Sequence, residues 1–181
     1  NTVRHKRTRM VRSYPVHALK DVLSVARAIQ RSNSGLPFDR VLLAKEMDTT
    51  PASSAFTMRL NSSLRYGLTQ GGYSDALIEL TPRGQAIVAP RDDQEMSRAL
   101  VDAAFQPELF RRFYEMLNGK RIPDDPYARN TLHREFGIHT NLAAEFLEII
   151  KANGLYVGVV NEVRGALYVS LTSSIAEIHL P

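Results

Sequence analysis

Histidines, paired aspartates and a serine pair are the residues of this chain whose types could bind a metal or drive catalysis, and their spacing argues against both. His5, His17, His133, His139 and His179 are scattered. His133 and His139 straddle a helix break with no matching carboxylate cluster, so the ligands that zinc requires do not converge. His133 reads instead as a helix-surface or satisfied core histidine. Asp92-Asp93 and Asp124-Asp125 look like carboxylate pairs, yet each stands where a helix begins. An aspartate there is explained by accepting hydrogen bonds from the first free N–H groups. Ser53-Ser54 sits in the first turn of a helix with no identifiable base to activate it. Gly71-Gly72 lacks the spacing of a phosphate-binding loop. Cysteine is absent, which excludes disulfides and thiolate metal sites and suits a reducing compartment. A protein that is not an enzyme, and that carries no metal or cofactor, is expected.

Charge says more. Residues 1–14 hold Arg4, Lys6, Arg7, Arg9 and Arg12 and no acid, a charge of +5. Residues 15–90 hold eight basic and six acidic side chains, and residues 91–181 hold ten basic and thirteen acidic, so the halves carry +2 and −3. A basic arm suits phosphate, because each contact releases counterions and makes binding salt-sensitive; the alternative is a solvated terminus that aids solubility. At 44% hydrophobic, the chain can bury one ordinary core or two small ones. No stretch approaches the roughly 18 apolar residues of a membrane span, and no signal segment opens the chain. A cytoplasmic protein with no membrane partner is expected. Its start at Asn1 rather than at a methionine reads as a processed protein or a fragment of a longer one.

The elements that must position these charges follow one order, written twice. After Tyr14-Pro15, apolar residues at Leu19, Val22, Leu23, Val25, Ala26 and Ile29 have the spacing of a buried helical stripe. Ser32, Asn33, Ser34 and Gly35 break that helix. Phe38-Asp39 leads into a short helix over residues 40–47. Thr50 is the expected N-cap of a third helix running to about Tyr66, with Pro51 placed where its missing N–H costs nothing. Two β-prone runs, over residues 66–69 and 77–81, flank Gly71-Gly72, Ser74 and Asp75 as a wing would. Thr81-Pro82 opens a closing helix over residues 83–88, and Pro90 with Arg91-Asp92-Asp93 marks a boundary.

The second half repeats the pattern. Asp93 caps a helix over residues 94–104, and Pro107 opens one over 108–117 that Asn118-Gly119 ends. Its Phe110, Phe113, Tyr114 and Leu117 form an aromatic stripe suited to a core or to the contact between the halves. Asp125-Pro126 opens a helix over 127–136, with Gly137 as the turn glycine. A third helix over 141–152 stops at Asn153-Gly154, and β-rich runs over 155–160 and 166–171 flank a wing tip at 161–165.

Leu43-Ala44-Lys45-Glu46-Met47, Ser53-Ser54-Ala55-Phe56, Tyr66-Gly67-Leu68-Thr69 and Leu80-Thr81-Pro82-Arg83-Gly84 together resemble the amino-terminal region of a group of prokaryotic proteins with tandem winged helices. Residues 130–137 and 146–158 are similar to that region's second half, so the likeness covers roughly residues 5–170. Such regions often precede a TIR-like nucleotide-binding domain associated with defence; none lies in this sequence, so no activity transfers. The fold class expected is α+β, mainly α: a basic N-terminal arm (1–14) and two tandem winged helix-turn-helix modules (15–90 and 91–181).

Winding the first module's third helix at about 100° per residue buries Phe56, Leu60, Ser63 and Leu64. Ser54, Thr57, Met58, Asn61 and Arg65 fall on the outer face, with Arg59 on the flank. Hydroxyls, an amide and an arginine can reach phosphates and base edges. The nucleic-acid contacts expected are therefore Arg4, Lys6, Arg7, Arg9, Arg12, Ser54, Thr57, Arg59, Asn61 and Arg65. The second module's third helix buries Leu142, Phe146, Ile149 and Ile150 and exposes Asn141, Glu145, Glu148 and Lys151. Its carboxylates would be repelled by phosphate, so this module is expected to face protein: a second copy, or an adjoining domain. The function expected is double-stranded DNA binding, regulatory or defence-related. The alternative is a non-enzymatic interaction or dimerisation region of a larger protein with a TIR-like effector, and RNA binding is a weaker third reading.

Overall fold

The computed structural model describes residues 10–171. Among them, eight helices and five short strands make a mainly helical α+β fold. The periodic stripe forms α1 (Leu19–Asn33), with Leu19, Val22, Leu23, Val25, Ala26, Ala28 and Ile29 all buried. It ends where Ser34 turns left-handed, at φ 53°. β1 (Phe38–Asp39) runs into α2 (Arg40–Glu46), whose first N–H groups, on Val41 and Leu42, are taken by the Asp39 carboxylate.

α3 (Ser54–Arg65) is capped by Ser53, whose hydroxyl accepts from the Phe56 N–H. Thr50, the expected cap, lies one turn earlier, because residues 50–53 close on themselves through the Ser53 N–H and the Thr50 carbonyl, 3.0 Å apart. The inward face of α3 also differs by one position. Leu64 is 44% exposed, and Ser62 is buried in its place. The reason is a polar contact: α3 packs on α1, and the Ser62 hydroxyl bonds His17 Nδ1 at 3.0 Å in that interface.

β2 (Thr69–Gln70) and β3 (Leu77–Leu80) complete an antiparallel sheet in the order β1-β3-β2, with Phe38 opposite Ile78 and Thr69 opposite Leu80. α4 (Pro82–Val88) begins under the Thr81 hydroxyl, which accepts from the Gly84 N–H. Gly84 must be glycine, since a Cβ there would run into the Leu68 carbonyl.

α5 (Asp93–Phe105) is capped by Asp92 rather than Asp93, the Asp92 carboxylate lying 2.7 Å from the Glu95 N–H. α6 (Glu108–Met116) and α7 (Asp125–Phe136) follow, Asp125 serving as the first residue of α7 rather than as its cap. After Gly137 and a 3-10 turn (Thr140–Leu142), α8 spans Ala143–Val157, and β4 (Val160–Val163) and β5 (Ala166–Val169) form a hairpin. α8 thus runs past the expected stop at Asn153-Gly154, and Leu155, Tyr156 and Val157 are helical instead of extended. Asparagine ends helices when its amide competes for local backbone. Here the Asn153 amide is engaged elsewhere, accepting from the Leu19 N–H at 2.8 Å and donating to the Tyr66 hydroxyl at 2.9 Å. The helix stops at Gly158, φ 84°.

The two halves share a connection order. In the first, the strand after α1 pairs with the last strand. In the second, residues 119–122 lie against β5 in the same way, through Gly119 N–H to Val169 O (2.8 Å), Val169 N–H to Lys120 O (3.0 Å) and Ile122 N–H to Leu167 O (2.8 Å). Two apolar clusters hold these elements. Val25, Ala28, Ile29, Phe38, Leu43, Phe56, Leu60 and Ile78 fill the smaller one. The larger crosses residue 90: Tyr14, Leu19, Leu23, Tyr66 and Leu68 pack with Phe110, Phe113, Tyr114, Phe146 and Ile150. α1 therefore serves both clusters, the larger through Leu19, Val22 and Leu23 in its first half and the smaller through Val25, Ala28 and Ile29 in its second.

Replacing Asn153 with alanine would orphan the buried Leu19 N–H, a loss that costs about 1–3 kcal/mol, and would leave the Tyr66 hydroxyl with only the His17 carbonyl. Asn153→Ala is expected to lower urea-unfolding stability by about 1–3 kcal/mol. A loss below about 1 kcal/mol would show that the bridge is dispensable.

Candidate nucleic-acid interface

α3 carries two arginines and no acid along its twelve residues. Ser54, Met58 and Asn61 face solvent, while Thr57, Arg59 and Arg65 are half-buried. The partners of the latter three are specific. The Thr57 hydroxyl donates back to the Ser53 carbonyl at 3.1 Å. The Arg59 guanidinium donates to the Ser24 hydroxyl on α1, and that of Arg65 to the Arg12 carbonyl, both at 3.1 Å. Arg59 thus ties α3 to α1, and Arg65 ties α3 to the root of the arm. Arg4, Lys6, Arg7 and Arg9, like His5 and His179, lie outside the described residues.

The described end of the arm lies beside α3. Met10, Arg12 and Tyr14 line a groove of about 310 Å³ together with Met58, Asn61 and Arg65. Arg12 itself forks onto Glu145 of α8, with Nε to Oε1 at 2.6 Å and Nη2 to Oε2 at 3.0 Å. The Tyr14 hydroxyl donates to the same carboxylate at 2.8 Å. Burial would raise the Glu145 carboxyl; the hydrogen bonds from Arg12 and Tyr14, with the Arg12 charge, outweigh it and hold the group below its ordinary range. Glu145, counted from sequence among the anions facing outward, is therefore neutralised within the fold. Tyr14, Tyr66 and Tyr114 are pushed well above the ordinary phenol value, mainly by burial.

Two further groups shape this surface and had no sequence signal, because their partners are far apart in the chain. Arg40 at the start of α2 donates to the Asp75 carbonyl at 2.9 Å and lies over the Tyr73 ring, 5.6 Å from its centroid. With the Gly72 N–H on the Asp75 carboxylate at 2.7 Å, these contacts brace the loop between β2 and β3. His17 is lowered from its ordinary value by burial and then by the Arg59 charge, partly opposed by Asp21.

The outer surface of the second half is different. Glu148 is exposed, and Lys151 stands 3.8 Å from the Asp125 carboxylate, which offsets its charge. His133 Nδ1 lies 3.4 Å from the Ile138 carbonyl and His139 accepts from the Asn141 N–H at 3.1 Å, so both serve the turn between α7 and α8. Among the described residues, no three of His, Asp and Glu gather as metal ligands would. Known family models, curated proteins and solved structures were all compared with the chain, and none matches it.

These shifts fix the sign of the pH response. His17 takes up a proton more readily in the unfolded chain, so stability is full above its ordinary value of 6.5 and falls as pH drops through the folded value. Glu145 contributes stability above its ordinary 4.5, lost as pH falls through its lower folded value. The tyrosines act at the other end: their contribution is present below 10.0 and lost as pH rises through their folded values. Urea midpoints measured across pH are expected to fall in these steps. His17→Gln should flatten the decline just below pH 6.5 and Glu145→Gln that below pH 4.5; an unaltered profile in either variant would contradict the assignment.

Proposed function

We propose that this protein binds double-stranded DNA through a winged helix-turn-helix formed by residues 15–90. α3 would enter the major groove, the loop between β2 and β3 would serve as the wing, and the arm of residues 1–14 would lie along phosphates or in the minor groove. The observation that carries this reading is the outer face of α3: Ser54, Met58 and Asn61 stand in solvent on an acid-free helix, beside the root of a segment with five cations. The strand order β1-β3-β2, with two helices between the first strand and the hairpin, is the connection a winged helix uses. An exposed asparagine can read adenine through both its amide groups, and short hydroxyls anchor phosphates. Transcription regulation, or a DNA-facing step in defence, is the role that the family resemblance suggests.

The second half, on this reading, is a winged helix given over to protein contact. Its α8 turns Phe146, Ile150 and Asn153 toward the core and toward α1, while Glu148 and the hairpin's residues 161–165 remain outside. The second reading, an interaction or dimerisation region, is favoured by exposed apolar side chains on the first half. Val41, Leu42 and Leu77 are each about half exposed, and the pairing of Asp39 with Leu77 brings β3 beside the start of α2. A concentration-dependent dimer with no affinity for duplex at low salt would favour that reading.

Fluorescence anisotropy of a labelled duplex across a salt series tests the proposal. Asn61→Ala is expected to weaken binding about tenfold, in the range of one lost base contact. Replacing Arg4, Lys6, Arg7 and Arg9 with glutamine should lower the slope of log affinity against log salt by up to about 3.6, at about 0.9 per phosphate contact. If the full chain fails to bind, or if both variants leave affinity and slope unchanged, the DNA reading falls.

A further inference from the structure

We propose that the exposed face of α1 is a second phosphate-binding surface, joined to α3 through Arg59, along which the backbone of a bound duplex continues. The proposal rests on the DNA reading above and enlarges its footprint from one helix face to two.

The buried residues of α1 leave a narrow strip of the helix in solvent. At about 100° per residue, Lys20, Ser24, Arg27 and Arg31 fall within about 60° of one another along that strip. The three cations are exposed and Ser24 is partly so. From Lys20 to Arg31 the strip runs about 16 Å. Arg59 of α3 joins it from the side, its guanidinium donating to the Ser24 hydroxyl at 3.1 Å. A fourth cation therefore stands along the strip and links it to the helix that bears Asn61. Asp21, the one acid of α1, stands about 100° round from Lys20. Glu46 of α2 meets the far end, where it accepts from the Ser32 hydroxyl at 3.1 Å.

Helix stability does not account for these charges. Lys20 lies in the first turn, where the helix dipole disfavours a cation, and Arg27 and Arg31 repel each other at i,i+4 spacing. Arg31 alone sits where the dipole favours it, in the last turn. Lys20 has the Tyr156 ring of α8 beneath it at 6.0 Å, while neither arginine has an ion-pair or hydrogen-bond partner among the described residues. The chemistry of the strip also selects its partner. A helix that lies on a membrane lays an apolar face into lipid, and that of α1 is already occupied by the two clusters. A protein interface gathers apolar and aromatic side chains at its centre, where this strip has Ser24, Arg27 and Arg59. A duplex needs neither. One strand advances about 3.4 Å per phosphate, so about five phosphates pass along the roughly 16 Å over which the protein sets its cations.

Duplex binding across a salt series tests the strip. Replacing Lys20, Arg27 and Arg31 with glutamine is expected to weaken binding about tenfold or more. The slope of log affinity against log salt should fall by up to about 2.7, at about 0.9 per phosphate contact. Lys120, Arg129 and Arg134 are exposed cations of the second half. Their replacement with glutamine removes the same charge and should leave the slope nearly unchanged. Arg27→Lys with Arg31→Lys should keep most of the slope, because a phosphate on an open surface asks for charge more than for a fork. The urea midpoint of the strip variant is expected to match that of the parent chain.

Equal losses in the strip and second-half variants would overturn the proposal, since net charge alone would then be felt. A lowered urea midpoint that accounts for the lost affinity would overturn it too, by assigning the loss to folding. If Asn61→Ala weakens binding and the strip variant does not, the DNA reading stands and the second surface falls. The converse result would leave the strip standing and remove α3 from the interface. A parent chain that binds no duplex ends both readings, and strip-dependent sedimentation with phosphatidylserine vesicles would then assign these cations to lipid.

Discussion

A buried side-chain amide ties the two halves of this molecule together where three helices meet. Asn153 sits 1% exposed on α8, and it serves the first free N–H of α1 and the hydroxyl of Tyr66 at the end of α3. Tyr66 in turn donates to the His17 carbonyl at 2.7 Å. An amide, a phenol and two backbone groups that would each be costly to bury alone are thereby satisfied together. Three helices converge on that network, and the aromatic packing around it depends on their staying in register. Tyr66 and Tyr14 lie against Phe110 with centroids 6.3 and 6.0 Å apart, and Phe110 meets Phe146 at 5.3 Å. The polar bridge fixes the angle, and the rings fill the space that this angle leaves.

The consequence for the outer surface is that α3 is oriented from behind. α1 lies beneath it with its first half in the larger cluster and its second half in the smaller, and Arg59 reaches from α3 to Ser24 across their interface. The arm's root is fixed by the same helices. The face bearing Ser54 and Asn61 is therefore set by contacts that include the second half, although none of that half's residues lies on α3 itself. Division of the chain near residue 90 describes its order of elements well. It describes the packing less well, since the larger cluster draws on both sides.

Much of the architecture was legible in the sequence because it is local. The α1 stripe, the helix starts at Pro82 and Glu108, the glycine turn at Gly137 and the hairpin near Arg164-Gly165 all follow from spacing or from a residue's own backbone preference. Two of the misreadings share a cause. Asn153-Gly154 reads as a helix end, and it is not one because a partner 134 residues away takes the amide. Leu64 reads as buried beside Leu60, and it is displaced because Ser62 finds His17. For the candidate interface, the outward Ser54, Met58 and Asn61 were accessible to helical winding. The pairing of Arg12 with Glu145 spans 133 positions, and no local pattern announces it. The basic arm could be seen from composition, but its point of attachment could not.

The sharing of α1 between two clusters also bears on how such a chain can change over generations. A recombination event at Pro90 would look harmless by element order, since it falls between α4 and α5. It would nevertheless strand Leu19, Leu23, Tyr66 and Leu68 without the rings they pack on, and leave Asn153 with no backbone to serve. A new second half could be grafted only if it brought its own aromatic stripe and an amide at the same place. The two halves thus make one packed unit, with room for change on their outer faces and little along the seam.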